Sequence, residues 1–271
     1  MRLPFIKMHG LGNDFVILDG REIDLPSLDT AQICALADRH RGIGFDQLIV
    51  LGPSDEADLA MAIHNADGSE VEACGNATRC VARYLFDQTG KDALTIRTTR
   101  GVLEARLVEG EVHVNMGHPQ TMWDEIPLSK PMDTAHLPLD GDPMAVGMGN
   151  PHVVFFVDDV NAVDVEARGR AVEFDPLFPQ RTNVEFAEVR SRGEIRMRVW
   201  ERGTGITLAC GSGACATAVA AAERGLTERK VRMEVDGGWL TLDWREDGVW
   251  MTGPTAHVFD ATLTKAFLES L

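Results

Sequence analysis

Two cysteines sit in nearly the same setting twice along the chain: Cys74 in ACGNATRCVARYL (73–85) and Cys210 in ACGSGACATAVAA (209–221). Each follows Ala, precedes Gly and opens a segment that reads as a helix. A helix N-terminus carries unpaired N–H groups and a partial positive charge, and a thiol there is expected to ionise closer to neutrality than a free one. One thiolate removing a proton from a carbon, with a second thiol returning a proton to the opposite face, is the chemistry of stereochemical inversion, and both groups must be able to change protonation state near the working pH. The glycine-flanked N–H groups beside them suit an anion such as a carboxylate. Cys34, Cys80 and Cys215 lie inside their helical segments and read as small buried hydrophobes. Five cysteines, an odd number with no Cys-x-x-Cys, point to reduced thiols rather than a disulfide framework, and eight scattered histidines give no zinc-ligand spacing. No metal and no cofactor is expected.

Cys74 and Cys210 are 136 residues apart, and other features repeat at that offset. HNADGSEVEACG (64–75) falls on WERGTGITLACG (200–211), so Asn65 meets Glu201. Gln47 meets Asn183, Gly101 meets Gly237 and Gly117 meets Gly253. With one residue of slack, GNDFVILDG (12–20) falls on GNPHVVFFVDD (149–159), which matches Asn13 to Asn150. A nearly constant offset over most of the chain indicates an internal duplication.

Each half has the same order of elements. An apolar strand follows Gly-Asn, then a helix (27–39 or 161–172), then two strands (DQLIVLG and ADLAMAIHN, or TNVEFAEVR and EIRMRVWE). The cysteine-headed helix follows (75–89 or 211–222), and hairpin strands end the half. The segment 211–222 carries no charge and only small side chains, so no face of it suits water; such a helix belongs inside a curled sheet. The expected architecture is α+β, with two pseudo-symmetric domains, each a curled, mostly antiparallel, barrel-like sheet around a central helix. The boundaries read as 1–118 with 262–271 for the half carrying Cys74, and 119–261 for the half carrying Cys210. The proline-rich stretch 119–146 is read as the crossover. Equivalent positions of two pseudo-symmetric halves are expected to face one another, one thiol on each side of a bound substrate.

Polar residues cluster at the matched positions. Asn13, Gln47, Asn65, Asn150 and Asn183 lie at strand ends near turns, where Asn is also a turn former. Glu201-Arg202 follows an alternating strand; Arg202 suits a substrate carboxylate and Glu201 an ammonium group. His152 reads equally as a strand residue and as a tuner of thiol ionisation.

The chain has 271 residues and a formal net charge of −16. That surface disfavours nucleic acid and anionic membranes, which select basic patches. No apolar run approaches the roughly 18 residues of a membrane-spanning helix, and the first residues have no signal-like apolar region, so a cytoplasmic location is expected.

Taken in order, HGLGNDF, RGIGFDQ, NADGSEVEACGN, GNPH, RTNVEF and ERGTGITLACGSGA resemble the diaminopimelate epimerase family over nearly the whole chain. The resemblance implies pyridoxal-independent interconversion of LL- and meso-diaminopimelate, on the route to lysine and peptidoglycan precursors. It implies Cys74 and Cys210 as the acid–base pair. It assigns substrate binding to Asn13, Gln47, Asn65, Gly75, Asn76, Asn150, Asn183, Glu201, Arg202, Gly211 and Ser212, and modulation of the thiols to His152 and Glu201. A small amino-acid substrate and a homodimer are implied as partners. Ala77-Thr78 stands where the family usually has Gly-Ala, and Ser212 where many members have Thr; neither change touches a thiol. Three other readings stay open on the residues alone: a proline racemase-like enzyme, a non-catalytic anion-binding protein and a disulfide oxidoreductase, the last weakened by the missing Cys-x-x-Cys.

Overall fold

The structure, a computed structural model, describes residues 3–72 and 74–270. Ala73 of the first Ala-Cys-Gly, and Leu271 at the end of the 262–271 segment, lie outside the described residues. The chain divides into two compact units, Met1–Val114 with Pro254–Leu271, and Asn115–Gly253.

The first unit contains β1 (Leu3–Gly10), β2 (Asn13–Asp19), α1 (Thr30–Ala37), β3 (Gln47–Gly52), β4 (Leu59–Asn65), α2 (Gly75–Thr89), β5 (Ala93–Thr98), β6 (Gly101–Val108) and β7 (Glu111–Asn115, whose last residue is assigned to the second unit). The second contains β8 (Met144–Gly147), β9 (Pro151–Phe156), a 3₁₀ turn at Val160–Ala162, α3 (Val165–Glu173), β10 (Asn183–Ser191), β11 (Glu194–Glu201), the two-residue β12 (Gly205–Ile206), α4 (Gly211–Glu223), β13 (Lys230–Val235), β14 (Gly238–Arg245) and β15 (Gly248–Thr252). The chain then returns to the first unit through β16 (Ala256–Leu263) and α5 (Lys265–Leu268). β16 pairs antiparallel along β1 from His9↔Ala256 to Leu3↔Leu263. The return therefore begins at Pro254, and the sequence-based boundary at 262 falls inside this strand.

The duplication is visible in the pairing. In the first unit β1–β2 is antiparallel, β2–β3 parallel, β3–β4 antiparallel, β4–β5 parallel and β5–β6 antiparallel. In the second, β8–β9, β9–β10, β10–β11, β11–β13 and β13–β14 repeat that series of directions. The parallel pairs occur where a helix makes the connection, because parallel neighbours need a long crossover. The sheets are thus mixed, with the antiparallel pairs in the majority. β16 has no counterpart in the second unit.

Strands buried on both faces read as continuous apolar runs. Phe15, Val16, Ile17 and Leu18 of β2 are all buried. Val16 and Leu18 join Leu3, Ile33, Leu36, Phe45 and Leu48 in a core beneath α1, which leaves Phe15 and Ile17 to the other face by the two-residue alternation of a strand. In the second unit Val153, Phe155, Val184 and Phe186 pack with Val165 beneath α3. Ile126, Leu128 and Leu137 of the proline-rich stretch complete that core, so the stretch is packed. The opposite face of each sheet meets the cysteine-headed helix. From Gly211 to Ala221 every residue of α4 is buried except Ser212, as its small, uncharged sequence required.

Helix starts follow their caps. Asp29 accepts from the Gln32 backbone while the Gln32 side chain returns to the Asp29 N–H, a capping box that starts α1 at Thr30 rather than at 27. Asp164 caps α3, so the predicted helix 161–172 is a 3₁₀ turn followed by the helix proper. Gly90 at φ 70 and Gly225 at φ 68 close α2 and α4 in the left-handed region.

Candidate active site

Both cysteines are N-cap residues with extended backbone, Cys74 of α2 (φ −140, ψ 111) and Cys210 of α4 (φ −112, ψ 111). Strands β2 and β9 begin with a matched device. Gly12 and Gly149 both take φ 84, where a side chain would be strained, and each is followed by an asparagine, Asn13 as the first residue of β2 and Asn150 immediately before β9.

Around Cys74 the structure gathers amides. The Cys74 thiol donates to Asn13 Oδ1 at 3.8 Å, and Asn76 Nδ2 donates to the same oxygen at 3.3 Å. The fully buried Arg79 donates to Asn76 Oδ1 at 2.9 Å. Asn13 Nδ2 donates to Asp46 Oδ2 at 2.9 Å, and Asp46 is tied to Asp14 through Arg39. Burial works against ionisation of Asp14, but hydrogen bonds and charge from Arg39 and Lys7 hold its carboxyl down at about 2. Gln47 and Asn65 face one another in the β3–β4 register, with Gln47 Nε2 donating to Asn65 Oδ1 at 3.1 Å. Gln47 Oε1 is buried without a hydrogen-bond partner. Thr78, in place of the usual alanine, donates its hydroxyl to the Cys74 carbonyl at 2.8 Å.

Around Cys210 the neighbours carry charge. The sulfur accepts from the Gly213 N–H at 3.4 Å and lies 3.6 Å from Ser212 Oγ. Asn150 Nδ2 donates to Ser212 Oγ at 3.3 Å, and Asn150 Oδ1 meets His152 Nε2 at 2.9 Å. His152 Nδ1 in turn meets Glu185 Oε1 at 2.7 Å, and both side chains are fully buried. Burial pushes the Cys210 thiol well above its ordinary value, and the charges of Glu201 and Glu185 push it further; Ser212 and the Gly213 N–H oppose them. The expectation that this thiol is lowered at its helix N-terminus is therefore corrected: burial and the two carboxylates raise it. Burial also raises Glu201, against a hydrogen bond from Thr207 and the charge of His152.

Asn183 is buried at 4% exposure and spent on the protein, donating to the Pro151 carbonyl at 2.9 Å and accepting the Arg202 N–H at 2.9 Å. It fixes the end of β11, from which the exposed Arg202 donates to the Gln180 carbonyl at 3.2 Å. Gly75 and Gly211 are the first residues of their helices. Cys80 and Cys215 are buried, and burial pushes Cys80 up to about 12. Cys34 is exposed, so its reading as a buried hydrophobe is corrected: the buried stripe of α1 is Ile33, Leu36 and Ala37. Sequence reasoning missed Glu185, one of two carboxylates in β10 with Glu188. It also missed the Asp14–Arg39–Asp46 cluster, whose members look like ordinary surface charges. Among the described residues, no three His, Cys, Asp or Glu side chains gather where a metal ion could sit.

The diaminopimelate epimerase family model matches residues 5–122 and 144–258. The chain belongs to the diaminopimelate epimerase family. It is similar to the family's member from Rhodospirillum centenum, with 53% identity covering 97% of this chain and 93% of that one. The member from Zymomonas mobilis is 50% identical, with 96% of each covered. Among solved structures, a hydroxyproline epimerase from Agrobacterium vitis matches with TM-score 0.67 at 14% identity, over 97% of this chain and 91% of that one. A methylitaconate-delta-isomerase matches with TM-score 0.62 at 16% identity, over 97% and 95%. These two share the fold of the diaminopimelate epimerase family; at such identity the likeness extends to architecture alone.

Proposed function

We propose that the chain interconverts LL- and meso-diaminopimelate without pyridoxal phosphate, as a step toward lysine and peptidoglycan precursors. The observation that carries this reading is the pair of cysteine N-caps at equivalent places of a duplicated fold, in a chain of this family. One cysteine, as thiolate, takes the α-proton; the other, as thiol, returns a proton to the opposite face, and the roles exchange in the reverse direction. Negative charge grows on the α-carboxylate as the carbon becomes carbanion-like. The N–H groups of Gly75, Asn76, Gly211 and Ser212 are assigned to it, because donors at helix starts are most effective where charge develops. Arg202 is assigned to the distal carboxylate. Gln47, Asn65 and Glu201 are assigned to ammonium groups, Gln47 with an oxygen its own fold leaves unused. Asn13 and Asn150 hold the two ends of the reacting centre, and Asn183 acts by fixing Arg202. His152 and Glu201 tune thiol ionisation.

No helix among the described residues is long and apolar enough to cross a membrane; we assign the enzyme to the cytoplasm. We also assign it a homodimeric state, supported by β16, an outer strand that leaves Val258 and Phe259 about half exposed. An exposed apolar strand edge favours pairing with another copy.

Incubation of the reduced protein with LL-diaminopimelate in D2O, with no added cofactor, should place deuterium at one α-carbon as meso product forms. Absence of both exchange and product would overturn the reading; exchange on proline instead would move it to the racemase alternative.

A further inference from the structure

The second unit contains a buried imidazole–carboxylate pair that its duplicate lacks. Residues correspond through the strand registers: Phe15↔Gln47 in β2–β3 matches His152↔Asn183 in β9–β10. By the same alignment Ile49, two residues after Gln47, matches Glu185, two residues after Asn183. Phe15 and Ile49 are fully buried, and so are His152 and Glu185. The first unit therefore fills these two places with apolar side chains, and the second fills them with an imidazole and a carboxylate. A third difference accompanies them. Ala77 occupies the third position of α2, where α4 has Gly213. A Cβ on Gly213 would stand 2.5 Å from Glu185 Oε1 and 3.3 Å from Cys210 Sγ. The glycine is the notch that admits the carboxylate beside the sulfur.

The same fold closes over Phe and Ile in its other copy, so the fold does not need the pair. A buried ion pair is also weak as a stabilising device, because desolvation offsets its attraction. We propose that Glu185 is a positioning residue of the reaction, the buried anchor of a side-chain chain Glu185–His152–Asn150–Ser212 that ends on the sulfur of Cys210. Its links measure 2.7, 2.9 and 3.3 Å, with 3.6 Å from Ser212 Oγ to the sulfur. In this chain Glu185 Oε1 accepts from His152 Nδ1 and sets the plane of the ring. The ring in turn fixes Asn150, and Asn150 holds the Ser212 hydroxyl against the thiol. The charged groups acting on Cys210 are Glu201 from β11 and Glu185 from β10; His152 from β9 lies between Glu185 and Asn150.

This inference rests on the epimerase reading and is tested separately from it. Glu185→Gln keeps an acceptor of the same shape and removes the charge. We expect kcat to fall by about 100-fold, the loss typical of a displaced catalytic group, with KM little changed and the pH profile of kcat displaced. Because Glu185 acts through His152, the E185Q/H152Q double variant should be no slower than H152Q; independent roles would multiply the losses. A wild-type kcat and pH profile in E185Q, or multiplied losses in the double variant, overturn the proposal. Two further measurements do not depend on E185Q folding. In ¹⁵N-histidine-labelled wild-type protein, Nδ1 of His152 should carry a proton, and a bare Nδ1 overturns the proposal. The His152→Phe/Glu185→Ile double variant, which copies the first unit, should keep or raise the melting temperature while losing turnover. A large fall in its melting temperature would make the pair structural and overturn the proposal. Inactive wild-type protein would instead count against the epimerase reading itself.

Discussion

At the head of α4 the sulfur of Cys210 accepts the Gly213 N–H at 3.4 Å, so the thiol itself caps the helix. At the head of α2 the sulfur of Cys74 makes no such cap and donates to an asparagine oxygen at 3.8 Å. Cys74 is half-buried, whereas Cys210 is 6% exposed. Two residues at one topological place therefore differ in hydrogen-bond direction and in burial. The comparison separates what the backbone provides from what side chains decide. Both units offer a helix start, with its N–H groups and partial positive charge. In the second unit burial and the charges of Glu201 and Glu185 push the Cys210 thiol upward, against the bonds from Ser212 and the Gly213 N–H.

The most severe test of this comparison removes each sulfur in turn. Cys74→Ala and Cys210→Ala should each lower turnover by about 1,000-fold or more, since each deletes one of two proton-transfer groups. Epimerisation of LL-diaminopimelate, followed by chiral separation of the products, measures it. If one variant keeps turnover, a single thiol serves both faces, and the difference between the two caps loses its meaning.

A smaller effect tests the charge asymmetry. Glu201 raises the Cys210 thiol, so Glu201→Gln should lower it. At a fixed mildly alkaline pH, iodoacetamide should label Cys210 faster in the variant, and the midpoint of labelling should move to more acidic pH. Labelling of Cys74 in the same sample, read by peptide mass spectrometry, should keep its wild-type midpoint. Turnover should fall by about tenfold, less than the roughly 100-fold or more that a proton-transferring group itself supplies. An unchanged Cys210 midpoint would remove Glu201 from the electrostatics of this thiol.

How much of this was legible in the sequence follows from the same contrast. The strand and helix order could be read because each element carries its own period. The uncharged run 211–222 is the clearest case, since a helix with no polar face has only one kind of place to be. The Gly-Asn turns, the two cysteine caps and the matched Gln47 and Asn183 followed from the constant offset. What stayed hidden depends on pairing between distant segments. Strand β16 looked like a tail of the second half because only its ladder with β1 assigns it to the first. Glu185 looked like one more charge in a strand because its burial depends on α3 covering one face of the sheet and α4 the other. The ionisation of Cys210 was misjudged for a related reason: a helix start is visible locally, but desolvation is a property of everything packed around it. Cys34 erred in the opposite sense, since α1 is covered on one side only.

The charge cluster of the first unit gives a third prediction, now in stability. Asp14 is held at about 2 by Arg39 and Lys7, below its ordinary value near 3.8. A carboxylate depressed on folding contributes stability above its unfolded pKa and loses it as pH falls through the folded one. The loss should therefore develop between about pH 4 and pH 2. Asp14→Asn should lower stability at neutral pH by about 1–2 kcal/mol, toward the lower end because Arg39 is largely solvated, and should flatten the acid limb. Urea unfolding at several pH values measures it. An acid limb as steep as that of wild type would show that Asp14 is not the group responsible. Glu201, beside the thiol of the second unit, is shifted in the opposite sense, raised by burial, so it adds nothing to this acid limb.

The smallest expected effect lies inside α2. Thr78 donates to the Cys74 carbonyl at 2.8 Å, and its counterpart in α4 is Ala214, which has no hydroxyl to give. Thr78→Ala therefore rewrites the first helix start in the form of the second. The Cys74 carbonyl keeps its helical bond from the Thr78 N–H at 2.9 Å, so no backbone group is orphaned. The loss should be at most about 1 kcal/mol, the net worth of one ordinary hydrogen bond, and alanine's better helix propensity offsets part of it. The expected outcome is a small fall in urea midpoint with an unchanged slope, and turnover within about twofold of wild type, less than 1.4 kcal/mol in barrier. A larger loss of turnover, with stability preserved, would mean that the hydroxyl steers Cys74 itself. The two helix starts would then differ by design at the carbonyl as well as at the sulfur.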